Sequence, residues 1–153
     1  MPEIGDTAPD FTLPVTGGGE TTLSDLKGAP VVLFFYPRDD TSGCTKENED
    51  FTRLMPEFEA AGVKVFGISK DSIASHDKFM EKKSLGVPLL SDENSDVCES
   101  YDVWKEKKMY GKTFMGIERS TFLIDAEGRI AEIWPKVKVP GHAEAVLERI
   151  QTL

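Results

Sequence analysis

Apolar and polar positions alternate over Phe11-Thr12-Leu13 and again over Thr21-Thr22-Leu23, on either side of Thr16-Gly17-Gly18-Gly19-Glu20. Residues 9–23 therefore read as an opening β-hairpin closed by a glycine turn. After a short turn at Ser24-Asp25-Leu26-Lys27-Gly28 the pattern changes. Val31-Val32-Leu33-Phe34-Phe35 is continuously apolar, the mark of a strand covered on both faces. From Cys44 to Gly62 the period becomes helical, with Phe51, Leu54, Met55 and Phe58 on one face. Pro56 lacks a backbone donor and predicts a kink in that helix; Gly62 predicts its C-terminal stop. Val63 to Ser69 reads as a second strand, and strand, helix and strand in this order make a parallel, right-handed crossover.

The rest of the chain yields to the same reading. A helix capped by Ser72 is expected to run through Phe79 to Leu85, followed by a short apolar strand at Val87-Pro88-Leu89-Leu90 and a brief helix within Asp92 to Asp102. Residues 105–118, rich in Lys, Gly and Met, show neither period and are expected to form a surface loop. Ser120 to Ile124 and Arg129 to Trp134 flank Asp125-Ala126-Glu127-Gly128 as a second hairpin, and Ala143 to Ile150 closes the chain as an amphipathic helix. There is no repeat, linker or low-complexity tract. Residues 1–153 are expected to form one domain of α/β class: a thioredoxin-like fold with a mixed central sheet, helices on both faces and an added N-terminal β-hairpin.

Composition narrows the functional classes. Asp and Glu outnumber Lys and Arg by 27 to 18, a formal net charge of −9. Such a surface repels phosphate backbones and anionic membranes, so neither nucleic acid nor membrane is an expected partner. No run is long enough to cross a bilayer and no basic-then-apolar start resembles a signal peptide, so a cytoplasmic location is expected. Two cysteines, at 44 and 98, cannot build a secreted disulfide framework. With only His76 and His142 and no ligand-like spacing, no structural zinc is expected. Both histidines are read as exposed and without a catalytic role, and Trp104 and Trp134 as packing residues.

The candidate chemistry centres on Tyr36-Pro37-Arg38-Asp39-Asp40-Thr41-Ser42-Gly43-Cys44-Thr45-Lys46-Glu47, where the apolar strand gives way to the long helix. A cysteine there lies in the first helical turn, where unpaired N–H groups and the helix dipole favour an anion such as a thiolate. Ionisation alone is not enough. Full conversion of a thiol to thiolate raises the reactive fraction only about thirtyfold, while nucleophilicity falls with basicity. Other groups must stabilise the transition state of whatever Cys44 attacks. Thr41 offers a hydroxyl able to donate to substrate or to cap the helix. Pro37 can shield the sulfur without adding a competing donor, and Glu47 can complement the helix dipole from the first turn.

Pro37, Thr41 and Cys44 match the Pro-x-x-x-Thr/Ser-x-x-Cys motif of peroxiredoxins, and Glu47 stands where that family often has a glutamate. Gly116-Ile117-Glu118-Arg119-Ser120-Thr121-Phe122-Leu123-Ile124-Asp125 resembles the family's second signature. From Gly5-Asp6-Thr7-Ala8-Pro9-Asp10-Phe11 to the last helix, the chain resembles the Q-type subfamily, also called bacterioferritin comigratory protein. The resemblance implies a thiol peroxidase acting on hydrogen peroxide and organic hydroperoxides, with no metal, haem or flavin. It makes Cys44 the attacking sulfur, which becomes a sulfenic acid, and Arg119 the cation that favours the thiolate and binds peroxide. Thr41 then orients substrate, Pro37 caps the pocket, Glu47 holds Arg119, and Tyr36 lines the pocket. Thioredoxin, glutaredoxin or a small thiol is the implied reductant, and a monomer the implied state.

The chain also departs from the subfamily. Where a resolving cysteine usually follows five residues after the first, this sequence has Glu49; near the alternative position in the next helix it has Phe79 and Met80. Two routes stay open: a one-cysteine cycle using an external thiol, or an atypical Cys44–Cys98 disulfide. Cys98, beside Val97 and one helical turn from Tyr101, reads either as a core residue or as a resolving thiol. Two other functions fit a reactive Cys44. One is a thiol–disulfide oxidoreductase, against which Thr41 stands where a Cys-x-x-Cys would have its first thiol. The other is a non-enzymatic redox sensor or holdase.

Overall fold

The computed structural model describes residues 2–153. Its centre is a five-stranded mixed sheet. Strand β3 (Val31–Phe35) is 0–2% exposed along its whole length, as a strand covered on both faces must be. It pairs in parallel with β4 (Lys64–Ser69), which pairs in parallel with β5 (Leu89–Ser91). On its other side β3 pairs antiparallel with β8 (Ser120–Ile124), and β8 with β9 (Ile130–Trp134).

Side-chain alternation along β3 divides the core. Val32, Phe34 and Tyr36 join a cluster with Phe51, Leu54 and Phe58 of α1 (Ser42–Ala60), Phe79 of α2 (Ile73–Lys83) and Val146 and Ile150 of α4 (His142–Ile150). Val31, Leu33 and Phe35 join a second cluster with Leu13, Leu23, Val97, Cys98, Tyr101 and Ile117. The three long helices thus cover one face. The other carries the hairpin of β1 (Thr12–Pro14) and β2 (Glu20–Thr22), a 3₁₀ turn at Leu23–Leu26 and the single turn α3 (Val97–Ser100).

Most local expectations hold. The Ser72 hydroxyl accepts from Ser75 N–H at 3.1 Å, and Gly62, φ 74°, follows the last residues of α1. The helix α1 runs unbroken through Pro56. The segment 105–118 is not a loop. It forms an antiparallel pair, β6 (Trp104–Met109) and β7 (Lys112–Ile117), in register from Trp104↔Ile117 to Met109↔Lys112. Tyr110 and Gly111 close it with φ of 53° and 75°, the left-handed pair that a two-residue hairpin turn requires. Both faces of this hairpin are largely solvated, so no apolar alternation marks it.

The two histidines are not exposed either. The His76 ring is wholly buried, with Nδ1 2.8 Å from Asp39 Oδ2 and Nε2 2.9 Å from Leu90 O. The His142 ring is buried against Phe51 and Trp134, with Nε2 2.7 Å from Thr121 Oγ1. In each case a polar partner on a distant element makes burial of the ring affordable. Among the described residues no helix is long and apolar enough to cross a membrane.

Candidate active site

The C-terminal end of β3 leads through Tyr36 and Pro37 into the start of α1, and the sheet fixes that exit. Tyr36 N–H still bonds to Ile68 O at 3.0 Å, one residue beyond the named strand. The chain then turns at Asp40, φ 59°, and enters the helix with Thr41 as N-cap. Thr45 N–H closes the first helical bond onto Thr41 C=O at 2.8 Å. Ser42, Gly43 and Cys44 therefore present N–H groups that precede the intrahelical ladder. The Thr41 hydroxyl does not cap them; it donates to Arg38 O at 3.0 Å. Asn48, one turn later, donates to Cys44 O at 2.9 Å and steadies the turn.

Cys44 is 1% exposed, and its sulfur faces a cation from another element. Arg119 occupies the two-residue link between β7 and β8, and its backbone is pinned: Glu118 N–H donates to Val103 O at 2.7 Å and Val137 N–H to Arg119 O at 2.8 Å. From there Nη2 donates to Cys44 Sγ at 3.4 Å, while Nη1 donates to Glu47 Oε1 at 2.6 Å. Glu47, one helical turn after Cys44, thus holds the guanidinium from below. Burial pushes its carboxyl up to about 7 although the Arg119 charge pulls it down, and its second oxygen has no hydrogen-bond partner. Arg119 itself is held more firmly protonated by Glu47 and Cys44, against its own burial. A Cβ at Gly43 would lie 3.1 Å from Arg119 Nη2, so the missing side chain is what lets the guanidinium reach the helix end.

Of the residues singled out from sequence, Arg119 is brought into direct contact with both Cys44 and Glu47. Thr41 lies at the helix entrance with its oxygen lone pairs free and its proton engaged. Pro37 is half-buried in the connecting loop. Tyr36 shares the buried cluster of Cys44, but its hydroxyl turns away from the sulfur, donating to Asp39 Oδ1 at 2.6 Å. Burial first, then the Asp39 charge, keep that hydroxyl protonated. Cys98 is not brought near. It is buried in the cluster on the opposite face of the sheet, with burial and then the Asp92 charge pushing its thiol far up.

Sequence reasoning missed the polar network behind the entry loop. Asp39 accepts from Tyr36 Oη, from Ser75 Oγ at 2.7 Å and from His76, and its N–H donates to Asp71 Oδ2 at 2.9 Å. The network staples the loop after β3 to α2. The ligand atoms of Asp39, Asp71 and His76 lie within 4.8 Å of one another, a spacing compatible with a cation. Ser69, Ser75, Tyr36 and main-chain groups already satisfy them, so the cluster reads as structural. The dipeptides Tyr36-Pro37 and Asp39-Asp40 give no signal of it, because apart from the local Tyr36 hydroxyl the partners come from α2, from β5 and from β4 with the loop that follows it.

The chain is similar to known proteins over nearly its whole length. The AhpC/TSA family profile matches residues 4–133. Peroxiredoxin Bcp of Bacillus subtilis is 49% identical over 151 residues, covering 99% of this chain and 94% of that protein. Peroxiredoxin Bcp of Xanthomonas campestris is 50% identical over 142 residues, covering 93% and 89%. Among solved structures, one of the X. campestris bacterioferritin comigratory protein, described for its alkyl peroxide reduction activity, superposes with a TM-score of 0.90 at 47% identity. It covers 99% of this chain and 97% of that one.

Proposed function

The chain belongs to the AhpC/TSA family, as a thiol peroxidase of the peroxiredoxin Bcp or Q type, and on that footing we propose that Cys44 reduces peroxides through a sulfenic acid. The observation that carries this reading is the guanidinium of Arg119, 3.4 Å from Cys44 Sγ and fixed by Glu47 at 2.6 Å. A cation so placed, beside free N–H groups of a helix start, favours a thiolate and a second anion developing next to it.

The thiolate attacks one peroxide oxygen, the O–O bond breaks, and the departing alkoxide or hydroxide takes a proton to leave as alcohol or water. Cys44 is left as sulfenic acid. Arg119 and the first-turn N–H groups neutralise the charge passing from sulfur to the leaving oxygen. Thr41 accepts the peroxide O–H, since its own proton is given to Arg38 O, and Pro37 limits water at the sulfur. Hydrogen peroxide and alkyl hydroperoxides are the proposed substrates, their departing oxyanion matched by the Arg119 charge beside the sulfur.

Recycling is proposed to run through an external thiol, from thioredoxin, glutaredoxin or a small thiol: one thiol displaces water from the sulfenic acid, and a second releases Cys44. The place of Cys98 supports a one-cysteine cycle. A Cys44–Cys98 bridge needs Cα atoms within about 7 Å, whereas these residues belong to clusters on opposite faces of the sheet.

Peroxide consumption with excess dithiothreitol, compared between Cys44→Ser and Cys98→Ala, tests both parts. The first variant is expected to lose turnover and the second to keep it, with one oxygen added to Cys44 after one equivalent of peroxide. Unchanged turnover in Cys44→Ser overturns the assignment. A two-hydrogen mass loss with both thiols blocked overturns the one-cysteine cycle.

A further inference from the structure

Lys107 of β6 is directly opposite Phe114 in the β6–β7 register, and Lys105 opposite Gly116. These four residues therefore share one face of the hairpin. Because Gly116 has no side chain, the lysine stem folds across it: a Cβ there would meet Lys107 Cδ at 3.2 Å and Cε at 3.4 Å. Three residues beyond Gly116 the chain reaches Arg119, so a lysine lying in that direction is led toward the active site. Its surroundings agree. Burial lowers the Lys107 ammonium, the nearby Arg119 charge lowers it further, and Cys44 and Glu118 oppose them. Lys105 is tied to Asp102 at 3.0 Å, but Lys107 is in no ion pair among the described residues. Lys107 is half-buried with no carboxylate within salt-bridge distance, and the negative groups acting on it are the Cys44 sulfur first and Glu118 second.

We propose that Lys107 is a second cation of the active site, laid across Gly116 toward the Cys44 sulfur, where it adds to Arg119 in holding the thiolate. It acts as a positioning charge and not through contact with peroxide. The charged groups facing the sulfur are then Arg119 from the β7–β8 link, Lys107 from β6 with Glu118 near it, and Glu47 from α1 itself. His142 at the start of α4 adds no charge at neutral pH, since burial and Arg119 push it down to about 4. The proposal rests on Cys44 being the reacting thiol.

The test is the pH dependence of Cys44 alkylation by iodoacetamide in wild type and in Lys107→Met, Lys107→Arg and Gly116→Ala. Methionine keeps an apolar stem over Gly116 and removes only the charge. Its alkylation rate on the acidic side of the profile is expected to fall about threefold. Lys107→Arg is expected to follow wild type. Gly116→Ala, which pushes the lysine away while keeping it charged, is expected to shift the profile in the same direction as Lys107→Met. A Lys107→Met profile that superimposes on wild type overturns the proposal, and so does an equal shift in Lys107→Arg. Alkylation reads the ionisation of the sulfur whether or not the protein turns over peroxide, so failure of the peroxidase reading is seen separately, in the turnover assay.

Discussion

Cys44 and Cys98 are buried to almost the same degree, 1% and 0% exposed, and each lies in the first turn of a helix. Their surroundings have opposite sign. At α3 the N-terminal N–H groups are already taken: Val97 N–H donates to Asp92 Oδ1 at 3.1 Å and Cys98 N–H to Asp92 Oδ2 at 2.8 Å. A carboxylate fills the place where a thiolate would be stabilised, and burial first, then that charge, drive the Cys98 thiol up. At α1 the capping hydroxyl turns away to Arg38 O, the N–H groups are left open, and a guanidinium faces the sulfur. Helix placement and burial are common to both sites. What differs between the two thiols is which ion occupies the helix end.

Two substitutions should break this contrast in complementary ways. Arg119→Met removes the cation from the Cys44 side, and kcat/KM for peroxide is expected to fall about 100- to 1,000-fold, by analogy with loss of one charge-stabilising donor. Thermal unfolding should change little, because Glu47, already pushed up to about 7, can take a proton once its partner is gone. Asp92→Asn is expected to do the reverse. It removes the anion that caps α3 and leaves one amide oxygen for two N–H donors, at a cost of about 1–3 kcal/mol in stability. Lys70, 3.2 Å from Asp92, loses one of its two carboxylate partners as well. Peroxide turnover should stay at the wild-type level. If Asp92→Asn lost turnover while folded, or Arg119→Met kept it, the two helix ends would not be independent and the contrast would fail.

Legibility in the sequence follows the range of the forces involved. The run Val31 to Phe35 announces its own burial, and the helical period after Cys44 announces α1, because each pattern is written within one segment. The β6–β7 hairpin was hidden because solvent on both faces erases the alternation, and because Tyr110 adopts a left-handed conformation that a tyrosine rarely advertises. His76 looked exposed because its partners, Asp39 and Leu90, lie 37 and 14 residues away. The contact between Arg119 and Cys44 spans 75 residues and was legible only through the likeness of two motifs to a family. Local pattern alone could not choose between the readings of Cys98, since the choice depends on which face of the sheet its segment covers.

Glu47 gives the smallest expected effect and the sharpest test of how the Cys44 side is balanced. Its folded carboxyl lies at about 7, above the ordinary value of 4.5, because burial outweighs the pull of Arg119. For an acid raised in this way the folded state binds the proton more tightly. Stability linked to Glu47 is therefore fully present below about pH 4.5 and is lost as pH rises through about 7. Glu47→Gln keeps an oxygen for Arg119 Nη1 and removes the ionisation. The variant should match wild type in melting temperature near pH 5 and exceed it at pH 8, with the gap opening across that window. Activity should fall only severalfold, because a neutral amide holds the guanidinium less firmly than a carboxylate. Such an outcome means that the charge under Arg119 is kept for the geometry at the sulfur and works against the fold. A gap of the opposite sign at pH 8 would mean instead that Glu47 is an ordinary stabilising ion-pair partner, and the two cysteine sites would differ in one cation and not in a coupled pair.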